Sequence, residues 1–389
     1  MRGTGGNGFI NWRGERHYDT MERFRLLLGG VAGANTRRGP GVRDQFRQAR
    51  RRLRTLTGLT ASICLGCLAM LFLTASPSPA AGLYQQLARN LALRLSAPVR
   101  PDAGVRLVNQ TADYEEYSNG LVITTTWCAS SKPRTLYPVF STASGGAAPV
   151  EWRSDPAGIV YHSTESHPLP IEAEWNPELP HIEKYLLDYV RDKHLYHFLI
   201  DRTGRVFRIV PESDIANHSG KSVWGDNRYV YVNLNASFLG VAFERQMRDR
   251  GARVNEDQLQ SARLLTDMLR AKYRIPASNC VTHAQVSVNP ANMKIGAHTD
   301  WARDFPFHEL GLGDNYAQPF AAMLAFGFDY DGALVSAAGD REWQGLVDSR
   351  KTLRDRATEL GVGVSRYKAE LRRRYREIVA RLDANSATT

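Results

Sequence analysis

Three short apolar runs constrain this chain most, because each is too short for a helix and two of them end at a histidine. Residues 158–161 (Gly-Ile-Val-Tyr) lead into His162, Phe238–Phe243 stands alone, and Val281-Thr282 leads into His283. Apolar runs of this length read as buried strands. Helical patterns lie between them. Residues 181–191 place Ile182, Tyr185, Leu186, Tyr189 and Val190 on one helical face. Asn255 with Gln258 forms a capping box ahead of a helix carrying Leu259, Ala262, Leu265, Leu269 and Tyr273. Residues 196–201 and 205–210 flank Thr203-Gly204 as a hairpin. Strands interspersed with helices predict an α/β fold, a central mixed β-sheet flanked by helices, over about residues 149–312.

Charge separates a different segment from this domain. The chain of 389 residues has a net charge of +10, and residues 1–58 alone contribute +9 through 13 arginines and four acids. The body is nearly neutral, so the basic pI gives no ground for a nucleic-acid partner. Residues 1–58 have no sustained hydrophobic period and read as a disordered basic tail in the cytoplasm. Residues 59–75 carry no charge and follow Arg50, Arg51, Arg52 and Arg54. This is the pattern of a transmembrane anchor or a signal segment with its N-terminus inside. Ser78-Pro79-Ala80 is a plausible cleavage site, so anchor and cleaved signal both stand, the uncleaved anchor being slightly favoured. Both send the C-terminal bulk out of the cytoplasm, to the cell envelope.

The flanks have simpler readings. Residues 83–148 comprise a helical stretch and a small β appendage or strand extension, with a turn at Ser118-Asn119-Gly120. Residues 313–389 form a helical extension in which Tyr367, Leu371, Tyr375, Ile378 and Leu382 recur at helical spacing. That stripe reads first as a packing face. Cys128 and Cys280 are either one disulfide in an oxidising compartment or two buried thiols.

The residues that carry chemistry occur in a fixed order. His162-Ser163-Thr164 closes the first strand. Tyr196-His-Phe-Leu-Ile-Asp-Arg-Thr-Gly204 follows, then Asn217-His218-Ser219-Gly220, then His283, then Asp300-Trp-Ala-Arg-Asp-Phe-Pro-Phe307. This succession resembles the type 2 N-acetylmuramoyl-L-alanine amidases and peptidoglycan recognition proteins, over about residues 158–310. The resemblance implies Zn²⁺ held by His162, His283 and Asp300, with peptidoglycan or a muropeptide as substrate. It also implies a catalytic role for Tyr196, a substrate-side loop at Asn217 and His218, and a charge-stabilising residue at His298, where many relatives carry Lys. Two imidazoles and one carboxylate leave a zinc position open for water or substrate. Such a metal lowers the pKa of bound water and polarises the scissile carbonyl.

The chain departs from the family pattern in two places. Ala242 stands where relatives have Glu on the central strand, and Glu244, two residues on, is the candidate replacement. Trp301-Ala302 replaces the Pro-Gly that follows the third ligand, with His298 as the alternative ligand. Lys294 is a second candidate for the charge-stabilising role if its loop folds back. The expected function is therefore zinc-dependent hydrolysis of the amide between N-acetylmuramic acid and L-alanine. A groove that binds peptidoglycan without cutting it, and a zinc amidase acting on another exported amide, are the alternatives.

Overall fold

The computed structural model describes residues 104–142, 147–166, 179–226, 228–246 and 254–386. The basic tail, the apolar run 59–75 and the helical stretch 83–96 lie outside the described residues. Among the described residues no helix is long and apolar enough to cross a membrane.

The strands, in chain order, are β1 (Leu107–Gln110), β2 (Tyr114–Tyr117), β3 (Val122–Thr124), β4 (Lys132–Pro133), β5 (Tyr137–Ser141), β6 (Glu151–Arg153) and β7 (Gly158–Ser163). They continue with β8 (Phe198–Ile200), β9 (Val206–Arg208), β10 (Asp214–Ile215), β11 (Val223–Gly225), β12 (Tyr229–Val232), β13 (Phe238–Phe243) and β14 (Cys280–Thr282). The helices are α1 (Leu179–Asp192), α2 (Leu234–Ser237), α3 (Glu256–Tyr273), α4 (His283–Val286), α5 (Ala321–Phe326), α6 (Gly332–Ala337), α7 (Gln344–Glu359) and α8 (Val364–Ser386).

The main sheet runs β1-β2-β3-β9-β8-β13-β7-β14. It is mixed, as expected: β8, β13, β7 and β14 pair in parallel, while β8–β9, β2–β3 and β1–β2 are antiparallel. β3 joins β9 in parallel, so the N-terminal hairpin extends the sheet. A second, antiparallel sheet runs β11-β12-β5-β6.

β7 and β13 are buried along their whole length, which is what parallel strands covered on both faces require. On one face Ala262, Leu265 and Leu269 of α3 cluster with Tyr161, Val241 and Phe243. On the other, Leu186, Leu187 and Val190 of α1 cluster with Leu199, Phe207 and Ala242. The second sheet covers the remainder of that face, bringing Val139, Trp224 and Tyr231 to Val160 and Val281. Each such aliphatic side chain contributes about 1.5–3 kcal/mol by leaving water. Glycine is needed where β7 begins: a Cβ on Gly158 would lie 2.0 Å from the Phe238 ring and 2.5 Å from Asn279 O.

Two elements differ from their sequence pattern. In α1, Tyr185 is 63% exposed and Leu187 takes its place in the core, because the cluster beneath is centred on Leu186, Leu187 and Val190. At the start of α3 the Asn255 side chain accepts from Gln258 N at 2.8 Å. The Gln258 amide, however, donates to the sheet carbonyls of Glu244 and Ile200. Half of the capping box therefore forms, and its other half ties the helix to the sheet.

The C-terminal extension is helical, in two long pieces. α7 ends at Glu359, Gly361 takes a φ of +65°, and α8 begins at Val364. Leu371, Tyr375 and Ile378 are buried, as their spacing predicts. Tyr375 and Ile378 join Phe320, Phe326 and Trp343 in a core that also takes in Ala284, Ile295 and Ala302. Cys128 and Cys280 are both free thiols.

Candidate metal centre

The C-terminal ends of parallel strands converge on one edge of the sheet, a common position for sites in α/β folds. His162 is the penultimate residue of β7, and His283 opens α4 directly after β14. Thr282 caps α4: its hydroxyl and backbone N–H both donate to Gln285 Oε1. The capped turn fixes the direction in which His283 leaves the strand. Asp300 lies on a loop strapped to α4, with Ala284 N donating to Asp300 O and Ser287 Oγ holding both N and O of His298.

Nδ1 of His162 lies 3.3 Å from Asp300 Oδ2, and Nδ1 of His283 lies 2.9 Å from Asp300 Oδ1. Donor atoms of all three fall within 4.8 Å of one another. Ligands in a tetrahedral zinc shell at about 2.1 Å stand about 3.4 Å apart, so the spacing and donor types fit zinc. Burial pushes His162 down to about 4, with the His283 ring adding to that fall and Asp300 opposing it. For Asp300, burial alone would raise the carboxyl; the imidazoles, His283 first, outweigh it and hold it below the usual carboxylate range. An unprotonated His162 and an ionised carboxylate are the forms that ligate metal.

Around the triad, Tyr196 packs its ring 5.0 Å from that of His162 and holds a φ of +59°, a left-handed conformation costly for a tyrosine. Burial, followed by the charge on Asp300, raises its phenol above the usual range. His298 is exposed and stacks on His283, with centroids 4.6 Å apart and planes at 18°.

Residues 152–302 match the model of the family described as N-acetylmuramoyl-L-alanine amidase. This stretch is an amidase domain of that family. None of the curated proteins matches the chain. Among solved structures, the amidase LysC from Clostridium intestinale is 21% identical, with 48% of this chain covering 93% of that one at a TM-score of 0.27. AmiD from E. coli is 18% identical, 58% covering 89%, TM-score 0.33. The Drosophila peptidoglycan recognition protein SD is 16% identical, 43% covering 85%, TM-score 0.27.

Within the amidase domain the other site candidates disperse. Ala242 pairs in register with His162. Glu244 lies two residues along, about 6.6 Å further, where its carboxylate accepts from Arg202 N at 3.1 Å. It is drawn toward the β8–β9 turn. Asn217 is exposed and its amide donates to Lys193 O. Lys294 forms an ion pair with Asp331 at 2.9 Å, which engages its ammonium. His218 comes to the triad from beneath: its Nδ1 lies 3.2 Å from His162 Nε2, on the side away from Asp300.

Two features of the amidase domain escaped sequence reasoning. One is this His218 contact, which a glycine in mid-strand, Gly240, could have signalled as a close approach. The other is the bracing of the third-ligand loop from outside the domain. Tyr316 Oη donates to Trp301 O at 2.6 Å and Trp343 Nε1 to Ala302 O at 3.0 Å. No spacing rule links residues 15 and 41 positions apart.

Proposed function

We propose that the amidase domain hydrolyses the amide between N-acetylmuramic acid and L-alanine in peptidoglycan, with Zn²⁺ held by His162, His283 and Asp300. The observation that carries this is the convergence of three metal-donor side chains on one sheet edge inside the stretch that matches the amidase family. Zinc at such a site supplies Lewis acidity to the scissile carbonyl and an acidified water. Asp300 and the two imidazoles present their donor atoms. Tyr196 offers a phenolic O–H beside His162, and His298 covers His283 from the open side as a donor to developing negative charge.

A binding role without turnover is favoured by one observation: the position beside His162 holds Ala242, and Glu244 is engaged by Arg202. The experiment is zinc analysis and muropeptide digestion with the full chain and its His283→Ala variant. About one zinc and release of stem peptide, both lost in the variant, is the expected result. Zinc without release from any muropeptide favours the binding role, and hydrolysis of an amide in another exported substrate, to its amine and carboxylate, favours a different amidase.

On this reading residues 149–312 are the catalytic unit, 83–148 and 313–389 its appendages, and 59–75 the export or anchoring segment that brings it to the cell envelope. The membrane is then a partner only through that segment.

A further inference from the structure

The structure assigns His218 as a positioning residue that fixes the tautomer of His162 and so leaves its Nδ1 bare toward a metal. The inference rests on the metal site proposed above. Phe238 O lies 3.3 Å from His218 Nε2. A carbonyl accepts and cannot donate, so that nitrogen carries the His218 proton. His218 Nδ1 is then a lone pair, and it faces His162 Nε2 at 3.2 Å. His162 must therefore donate from Nε2, which leaves its Nδ1 as a lone pair too. That lone pair points at Asp300 Oδ2, 3.3 Å away. Two acceptors face one another there, an arrangement favourable only with a cation between them.

The fold holds this relay from below. His218 N, Ser219 N and Gly220 N all donate to Asn235 Oδ1, so one side chain gathers the loop. Gly240 leaves the room the ring needs: a Cβ there would sit 2.7 Å from His218 Cγ and 2.9 Å from its Cβ. Gly240 N in turn donates to His197 Nδ1 at 2.9 Å, and His197 Nε2 meets Asp214 O and the Arg134 guanidinium. His218 contacts His162 at Nε2, the nitrogen that does not face Asp300. It acts through His162.

The test compares zinc affinity of the full chain with its His218→Phe, His218→Asn and Gly240→Ala variants, by competition with a chromophoric chelator. Phe keeps the volume and removes the acceptor; Asn places Oδ1 where Nδ1 stood. Loss of such a partner weakens metal binding by about 10–100-fold. That loss is expected for His218→Phe and Gly240→Ala, with most of the affinity kept by His218→Asn. Equal affinity in the parent and His218→Phe overturns the assignment. Imidazole ¹⁵N spectra of the parent chain give a second readout that needs neither metal nor a folded variant. Protons on Nε2 of both His162 and His218 are expected, and a proton on Nδ1 of His218 overturns the relay. A parent chain with these tautomers that binds no zinc sinks the metal reading alone.

Discussion

At the residue scale, a tyrosine beside the three candidate ligands is held where tyrosines rarely sit. Tyr196 keeps its left-handed backbone because its ring is trapped against His162 and its neighbour Leu195 is buried under α1. Tyr196→Phe retains that packing and removes only the hydroxyl. It should lower kcat by about 10²-fold, the scale of one lost donor to a developing oxyanion, and leave zinc content unchanged by metal analysis. An unchanged kcat would assign the ring to packing alone. The second residue-scale prediction concerns the core. Gly158→Ala should destabilise the fold by about 1–3 kcal/mol, read as a lower urea midpoint, because the new methyl collides with Phe238 and with the Asn279 carbonyl. The three candidate ligands were legible because each follows a recognisable local pattern. Glu244 and Lys294 each have a partner that sequence spacing does not reveal, Arg202 for the one and Asp331 for the other.

At the scale of elements, the loop bearing His298 and Asp300 is held on two sides. α4 straps it from within the amidase domain, and Trp343, at the start of α7, closes over it. Trp343 stacks on both Tyr316 and Phe320 while donating to Ala302 O. Trp343→Phe keeps most of the stacking and loses the hydrogen bond. It should cost about 1 kcal/mol in global stability, and should weaken zinc binding while leaving His162 in place. Chelator competition alongside a denaturation curve separates the two effects. Gly345, two residues on, lets α7 approach the Gln318 carbonyl, which a Cβ would meet at 2.0 Å. Sequence periodicity marked the C-terminal extension as helical and found the buried stripe of α8. It did not find the break between α7 and α8, although Gly361 and Gly363 there carry a helix-stop signal.

At the scale of the whole described fold, a buried ion network joins the N-terminal hairpin to the main sheet and to α3. Arg208 on β9 pairs with Glu115 on β2 and with Glu212, and Glu212 also meets Lys272 at the end of α3. Burial would raise the Glu212 carboxyl, but Arg208 and then Lys272 outweigh it and lower it. A carboxyl depressed in the folded state contributes stability that is fully present above the unfolded value, about 4.3. That stability is lost as pH falls through the folded value. Urea midpoints measured from pH 7 down to 3 should therefore fall on the acid side, and Glu212→Gln should flatten that limb while lowering stability at pH 7. A steep acid limb in the variant would place the titration elsewhere. The mixed sheet and its flanking helices were legible at this scale from strand and helix patterns. The docking of the flanks was not, because long-range packing leaves no local trace. That docking has a consequence for heredity. Arg134 reaches from before the matched stretch to the carbonyls of Glu212, Asp214 and Ala236, and Trp343 reaches back from beyond it. Cut at 152 and 302, the ligands would travel without their walls. The cassette that recombination can move intact, and that a cloned fragment must preserve, runs through both flanks.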